Sequence, residues 1–255
     1  MTTSRTALVT GATAGIGREF VEQLAGSGHR LVLVARDEAR LQSVAAEVRQ
    51  RHDVEVEVLA ADLTDRAGLA RVEARVADRR RPVDLLVNNA GFGLKERFLV
   101  NDIEAEQQML DVLVTAVLRL SHAALGAMVE RRHGAIVNVS SVASFLPRGT
   151  YSAAKAWVNS FSEWAHNEYS PDGVQVMVLC PGFVKTEFHQ RMDVSRDSAP
   201  GFLWLEAPDL VREALADLGR GRRMSIPSKR YKAIVGAARV VPIGVLQRAQ
   251  SLGRK

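Results

Sequence analysis

The chain of 255 residues is 47% hydrophobic and 25% charged, with one cysteine and a formal net charge of +5. Those values exclude disorder, collagen-like repeats and a disulfide framework, and the length supports one sizeable core without metal or disulfide staples. The charge is uneven: ten of the 34 Lys and Arg fall in residues 219–255, which hold no Asp or Glu, so the first 218 residues carry a net −5. A basic end of this kind is either a solvated face or a surface for an anionic membrane or a phosphorylated ligand. No recognition motif accompanies it, so nucleic acid is not an expected partner. The start, MTTSRTALVTGA, lacks the charged, apolar and cleavage regions of a signal peptide. The apolar stretch Ala233–Leu246 is broken by Arg239 and Pro242 and falls short of the roughly 20 residues a bilayer span needs. A soluble, cytoplasmic protein is the expectation.

Short apolar, β-branched runs alternate with longer amphipathic stretches. Strands are predicted at Thr6–Thr10, Arg30–Ala35, Val54–Ala60, Val83–Asn88, Ala135–Ser140, Gln175–Leu179 and Met224–Pro227. Most are continuous rather than alternating, as strands covered on both faces must be. Helices are predicted at Gly15–Ala25, Asp37–Gln50 and Asp65–Arg79, with Asp37 and Asp65 as N-caps. One extended helix follows over Ile103–Arg131, then Ser152–Tyr169 and Asp209–Leu218. This alternation predicts an α/β fold, a doubly wound parallel sheet of about seven strands with right-handed crossovers. No linker, repeat or low-complexity tract divides the chain, so residues 1–255 read as a single domain.

The first strand runs directly into Thr10-Gly11-Ala12-Thr13-Ala14-Gly15-Ile16-Gly17, and a helix follows. Glycines there permit a tight turn and close approach to a pyrophosphate, and the helix N-terminus offers free N–H groups and a positive dipole end. At the first strand–helix junction the pattern points to a dinucleotide site; the alternative is a tight turn that binds nothing.

Further segments stand in order behind it: Asn88-Asn89-Ala90-Gly91, Ser140-Ser141, Tyr151-Ser152-Ala153-Ala154-Lys155, and Pro181-Gly182-Phe183-Val184-Lys185-Thr186. The set resembles the short-chain dehydrogenase/reductase family, over residues 5 to about 190. The resemblance implies a Rossmann-type dinucleotide-binding domain with Ser141, Tyr151 and Lys155 as catalytic residues. Thr10, Gly11, Thr13, Gly15, Ile16, Gly17, Asp62, Leu63, Asn89, Ala90, Gly91, Pro181, Gly182, Val184 and Thr186 would line the cofactor together with Tyr151 and Lys155. Arg36 stands at the end of the second strand, where an NAD-preferring fold places an acid. A guanidinium there suits a 2′-phosphate, so NADP(H) is favoured over NAD(H). Asp62 is either the acid beside the adenine or another helix-start residue.

Tyr151 and Lys155 are four residues apart on one helix face. A neighbouring ammonium and the positive charge of oxidised nicotinamide are both expected to lower the phenol's pKa, and Ser141 to hydrogen-bond a developing alkoxide. The implied activity is hydride transfer between a nicotinamide and an apolar carbonyl or alcohol. A weakly catalytic or non-catalytic NADPH sensor is the alternative, motivated by Leu113, which stands where the family has an Asn supporting a water relay. The Ser141–Tyr151 connection is also a few residues shorter than is common in the family.

Residues 188–205, with Phe188, Phe202, Trp204 and Leu205, read as a substrate lid. Phe92, Phe145 and Leu146 would line the same pocket or complete the core. Trp157, Phe161 and Trp164 form a packing stripe, part of which would meet a second copy, since family members are usually dimers or tetramers. The six histidines show no metal spacing.

Overall fold

The computed structural model describes residues 5–186 and 200–240. Strands β1 (Thr6–Thr10), β2 (Arg30–Ala35), β3 (Val56–Ala60), β4 (Leu85–Asn88), β5 (Gly134–Val139), β6 (Val174–Leu179) and β7 (Met224–Ser225) form one sheet in the order β3-β2-β1-β4-β5-β6-β7. Every pairing is parallel. The sheet has the predicted seven strands, with β3 and β4 each starting two residues later than expected and β7 stopping before Pro227.

Alternate residues of each strand feed the two faces. Ala7, Val9, Leu31 and Leu33 pack with Phe20, Val21 and Leu24 of α1 (Gly15–Gly26), Leu41, Val44 and Val48 of α2 (Glu38–His52) and, further along, helix Ala207–Gly219. Leu8, Val32, Leu86 and Ile136 face the other way, onto α3 (Arg66–Val76) and helix Ala116–Glu130. Continuous apolar runs are the sequence trace of these two covered faces. Asp37 and Asp65 cap α2 and α3 by accepting from the amides of Arg40 and Gly68.

The long helix predicted at 103–131 is not uniform. It comprises α4 (Ile103–Leu110), a π-helical turn at Asp111–Thr115, in which the Ala116 amide reaches back to the Asp111 carbonyl, and α5 (Ala116–Glu130). Such turns recur at functional sites. By length and composition Ile103–Glu130 could cross a membrane, but 56% of its most apolar stretch is buried inside this fold, with Ala116, Leu120 and Met128 packed in the core. The remaining helices are α6 (Gly149–Tyr169), α7 (Ala207–Gly219) and α8 (Lys229–Val240), the last lying beyond all predicted elements.

Buried amides fasten the helices to the sheet. Asn88 and Asn138 are register partners on β4 and β5, and Asn88 Nδ2 donates to Asn138 Oδ1 at 2.9 Å and to Ser121 of α5 at 3.2 Å. Asn138 in turn donates to Ser162 of α6 at 2.9 Å. The strand order reverses between β1 and β4, which opens a crevice at the carboxyl edge of the sheet.

Candidate active site

The glycine-rich turn occupies that crevice. Gly11 and Gly15 have φ of 66° and 55°, left-handed values that a side chain disfavours. A Cβ on Gly17 would lie 2.2 Å from the Gly11 carbonyl oxygen. Thr10 and Asn89 clamp the turn rather than facing outward. Thr10 Oγ1 accepts from the amides of Asn89 and Ala90, both at 3.0 Å, and Asn89 Nδ2 donates to the Thr10 carbonyl at 2.9 Å. Helix α1 then begins without a side-chain cap on Ala14 and without an acid in its first turn. Uncapped N–H groups behind a glycine cradle fit a pyrophosphate.

The other cofactor candidates fall around this turn. The Gly11 amide donates to the Val34 carbonyl at 2.8 Å, which brings the end of β2 and the exposed Arg36 beside it; Arg36 has no ion pair among the described residues. Asp62 is not the cap of α3. Its Oδ1 accepts from the amide and hydroxyl of Thr64 at 2.9 and 2.8 Å. Leu63 is buried in the core, so only its backbone faces outward. Thr13 and Ile16 are half-buried in the turn itself. Across it stands Thr186, whose Cβ is 3.1 Å from the position a Cβ on Gly15 would take. The loop carrying Pro181, Gly182 and Val184 is held by a bridge between Val184 and Leu205.

At the other wall of the crevice Ser141, two residues past β5, caps a 3-10 turn at Val142–Phe145, its hydroxyl accepting from the Ala143 amide at 3.1 Å. Gly149, at φ 85°, starts α6, and Tyr151 comes back beside Ser141, whose side chain acts on the phenol. The short connection therefore still delivers the serine. Lys155 is 4% exposed; its Nζ donates to the Val139 carbonyl at 2.7 Å and lies 5.8 Å from the centroid of the Tyr151 ring.

In the protein by itself, burial works against the expected lowering of the phenol pKa. Burial pushes Tyr151 up to about 12, the Ser141 hydrogen bond only partly opposing it, and burial pulls Lys155 down to about 8. Desolvation disfavours both charged forms, and the Lys155 ammonium directs one of its N–H groups to the Val139 carbonyl. At neutral pH the phenol keeps its proton.

Leu113, in the π-helical turn, is fully buried. Its Cδ2 lies 2.8 Å from where a Cβ on Gly91 would stand, a point 3.9 Å from Lys155 Nζ. Phe92 and Leu94 pack with Leu113, Met109 and Tyr151, beside the acid. Phe145 instead completes a core patch with Val158, Val178 and Cys180. Phe188 lies outside the described residues. Of the expected lid, Trp204 packs its ring 5.5 Å from that of Phe183, Leu205 bridges to Val184, and Phe202 is 60% exposed. The basic end is partly neutralised: Arg220 and Arg222 meet buried Asp217, and Lys232 meets Glu213.

Two hydrogen-bonding roles near the site are not signalled by the sequence. Glu106 of α4, 3% exposed, accepts from Thr150 Oγ1 at 2.6 Å and from Asn101 Nδ2 at 2.7 Å, fixing the first turn of α6 next to Tyr151. Ser140 Oγ donates to the Lys155 carbonyl at 2.9 Å.

Comparison with known proteins agrees with this geometry. Residues 5–197 match the family described as short chain dehydrogenase. The chain is 33% identical over 221 residues to the very-long-chain 3-oxoacyl-CoA reductase of Anas platyrhynchos, covering 84% of this chain and 68% of that protein. It spans 60% of the Homo sapiens protein of that name. Among solved structures, the short-chain dehydrogenase from Sphingobium yanoikuyae in complex with NADPH is 36% identical, with a TM-score of 0.85 over 95% of each chain. The bulky-bulky ketone specific alcohol dehydrogenase from Comamonas testosteroni is 30% identical, with a TM-score of 0.80 over 95% of this chain and 94% of that one. The chain belongs to the short-chain dehydrogenase/reductase family of oxidoreductases.

Proposed function

We propose that this protein is an NADP(H)-dependent oxidoreductase that interconverts a carbonyl and an alcohol on an apolar small molecule, with Tyr151 as the acid/base. The observation that carries the reading is the convergence of three side chains at the carboxyl edge of the sheet: Ser141 acts on the Tyr151 phenol, and Lys155, buried one helical turn further on, sets its ammonium 5.8 Å from the centre of the Tyr151 ring. The reduced nicotinamide, when bound, supplies the hydride. Thr186 and Val184 would hold its nicotinamide side, the uncapped start of α1 its pyrophosphate, and Arg36 its 2′-phosphate.

In reduction, Ser141 hydrogen-bonds the carbonyl oxygen and stabilises the charge that builds there. Tyr151 donates its hydroxyl proton to that oxygen, and the buried Lys155 ammonium favours the phenolate left behind. Phe92, Leu94, Phe183 and Trp204 give this end of the crevice an apolar lining. The ketone and 3-oxoacyl substrates in the names of two relatives support an apolar carbonyl. Trp157 and Phe161 stack at 5.0 Å, and beside them Trp164 is 52% exposed, a face suited to a second copy of the chain.

The test is consumption of NADPH and of NADH against a panel of ketones and aldehydes, with Tyr151→Phe beside the wild type. Turnover with NADPH that falls by about 100-fold or more in the variant supports the reading. Binding of NADPH with no turnover in either protein overturns it in favour of a cofactor sensor.

A further inference from the structure

The loop Pro181–Thr186 is gripped from outside the five sequence motifs. Tyr231, on the C-terminal helix α8, is 3% exposed. Its ring lies flush on Gly182, where a Cβ would fall 2.0 Å from the ring carbon Cζ. Its hydroxyl accepts from the Phe183 amide at 3.0 Å and donates to the Leu203 carbonyl at 2.7 Å. One phenol thus ties three pieces of chain together: α8, the loop after β6, and the segment that follows residues 187–199.

The neighbouring contacts make this a junction. The Leu205 amide donates to the Phe183 carbonyl at 2.8 Å and the Lys185 amide to the Leu205 carbonyl at 3.0 Å. Arg230, the residue before Tyr231, donates to the Phe202 carbonyl at 2.6 Å, with its guanidinium 5.9 Å from the Phe202 ring centroid. The glycine at 182 is therefore required for the phenol's approach, and the approach fixes the backbone that ends in Thr186, itself against Gly15 of the cofactor turn.

We propose that Tyr231 is a positioning residue: through its hydroxyl, α8 sets the loop on which Val184 and Thr186 meet the nicotinamide half of the cofactor. The inference rests on the cofactor reading above and adds the C-terminal helix to the machinery that holds it. Removing the hydroxyl leaves the ring on Gly182 but takes away its two hydrogen bonds, to the half-buried Phe183 amide and the Leu203 carbonyl, so the loop is released without emptying the core.

Calorimetric titration separates this role from general support of the fold. Wild type, Tyr231→Phe and Ile234→Ala, the last on the exposed face of α8, are each titrated with NADPH and with 2′-phospho-ADP-ribose, which lacks only the nicotinamide. The expected result is that Tyr231→Phe binds NADPH about ten-fold more weakly, while its affinity for 2′-phospho-ADP-ribose stays within about two-fold of wild type. Ile234→Ala should match wild type for both ligands. Equal weakening of both ligands in Tyr231→Phe, or no weakening of either, overturns the positioning role. Wild-type protein that binds neither ligand overturns the cofactor reading itself, and this inference with it.

Discussion

The Lys155 ammonium donates to the Val139 carbonyl at 2.7 Å, so the two members of the Tyr151–Lys155 pair share a helix face without sharing a hydrogen bond between their polar ends. Each is instead governed by its loss of water. The lysine is drawn toward its neutral form and the tyrosine toward its own, a combination that keeps an acid ready but makes the cation beside it easy to discharge.

A pH dependence follows, with a definite sign. Tyr151 stays protonated until about pH 12, whereas Lys155 loses its charge near pH 8. The kcat/KM for carbonyl reduction should be level below pH 7 and fall with an apparent pKa near 8, the range in which free enzyme loses its cation. A profile level to pH 10 would show that the charge on Lys155 is not needed. The same shift acts on stability. A lysine whose folded pKa is depressed binds more protons when unfolded, so it destabilises the fold below pH 8 and the penalty fades between 8 and 10.5. The penalty at neutral pH is of the order of 3 kcal/mol. Lys155→Met should therefore abolish turnover while melting no lower than wild type at pH 7, even with the Val139 carbonyl left unpaired. Its relative advantage should shrink toward pH 10 in a series of thermal melts.

Arg36 gives a cofactor prediction that is independent of the chemistry. It is exposed at the end of β2, beside the glycine turn, where a guanidinium meets a 2′-phosphate and has nothing to gain from a 2′-hydroxyl. Arg36→Ala should weaken NADPH by about ten-fold or more and leave NADH within about two-fold. Equal effects on both cofactors would remove the basis for NADP preference.

The frame of the molecule was legible because it rests on local patterns. Continuous runs such as Leu31–Val34 mark strands covered on both faces, and Asp37 and Asp65 mark helix starts that the structure caps as expected. Ser141, Tyr151 and Lys155, which the structure brings together, were legible through their order in the chain. What stayed hidden depends on distant partners. Glu106 sits in an acidic helix start, Ile103-Glu104-Ala105-Glu106, that reads as a solvated face; only Thr150, 44 residues away, gives its carboxylate a task. The π-helical turn leaves the apolar spacing of Ile103–Arg131 unbroken, so nothing in the periodicity announces it. The upward pull on Tyr151 was not legible because spacing reveals the neighbouring cation but not how deeply the phenol is buried. Tyr231 belongs to no motif, and its task is fixed by Gly182, 49 positions earlier.

Leu113 carries the remaining prediction. It places hydrocarbon alongside Gly91 and the Lys155 ammonium, where an amide could hold a water and leucine cannot. Burial depresses Lys155, and hydrocarbon at this point offers no relay for a proton returning to it. Leu113→Asn should leave NADPH affinity unchanged and raise turnover, while the alkaline limb moves above 8 as the ammonium regains a polar neighbour. The amide replaces a fully buried side chain, so the melting temperature should fall, by an amount reflecting about 1–3 kcal/mol of polar burial. Steady-state rates across pH, cofactor titration and a thermal melt on one preparation check all three. A variant that binds NADPH normally, with its limb shifted and its rate unchanged, would show that Leu113 sets the charge on Lys155 without limiting how fast protons reach it.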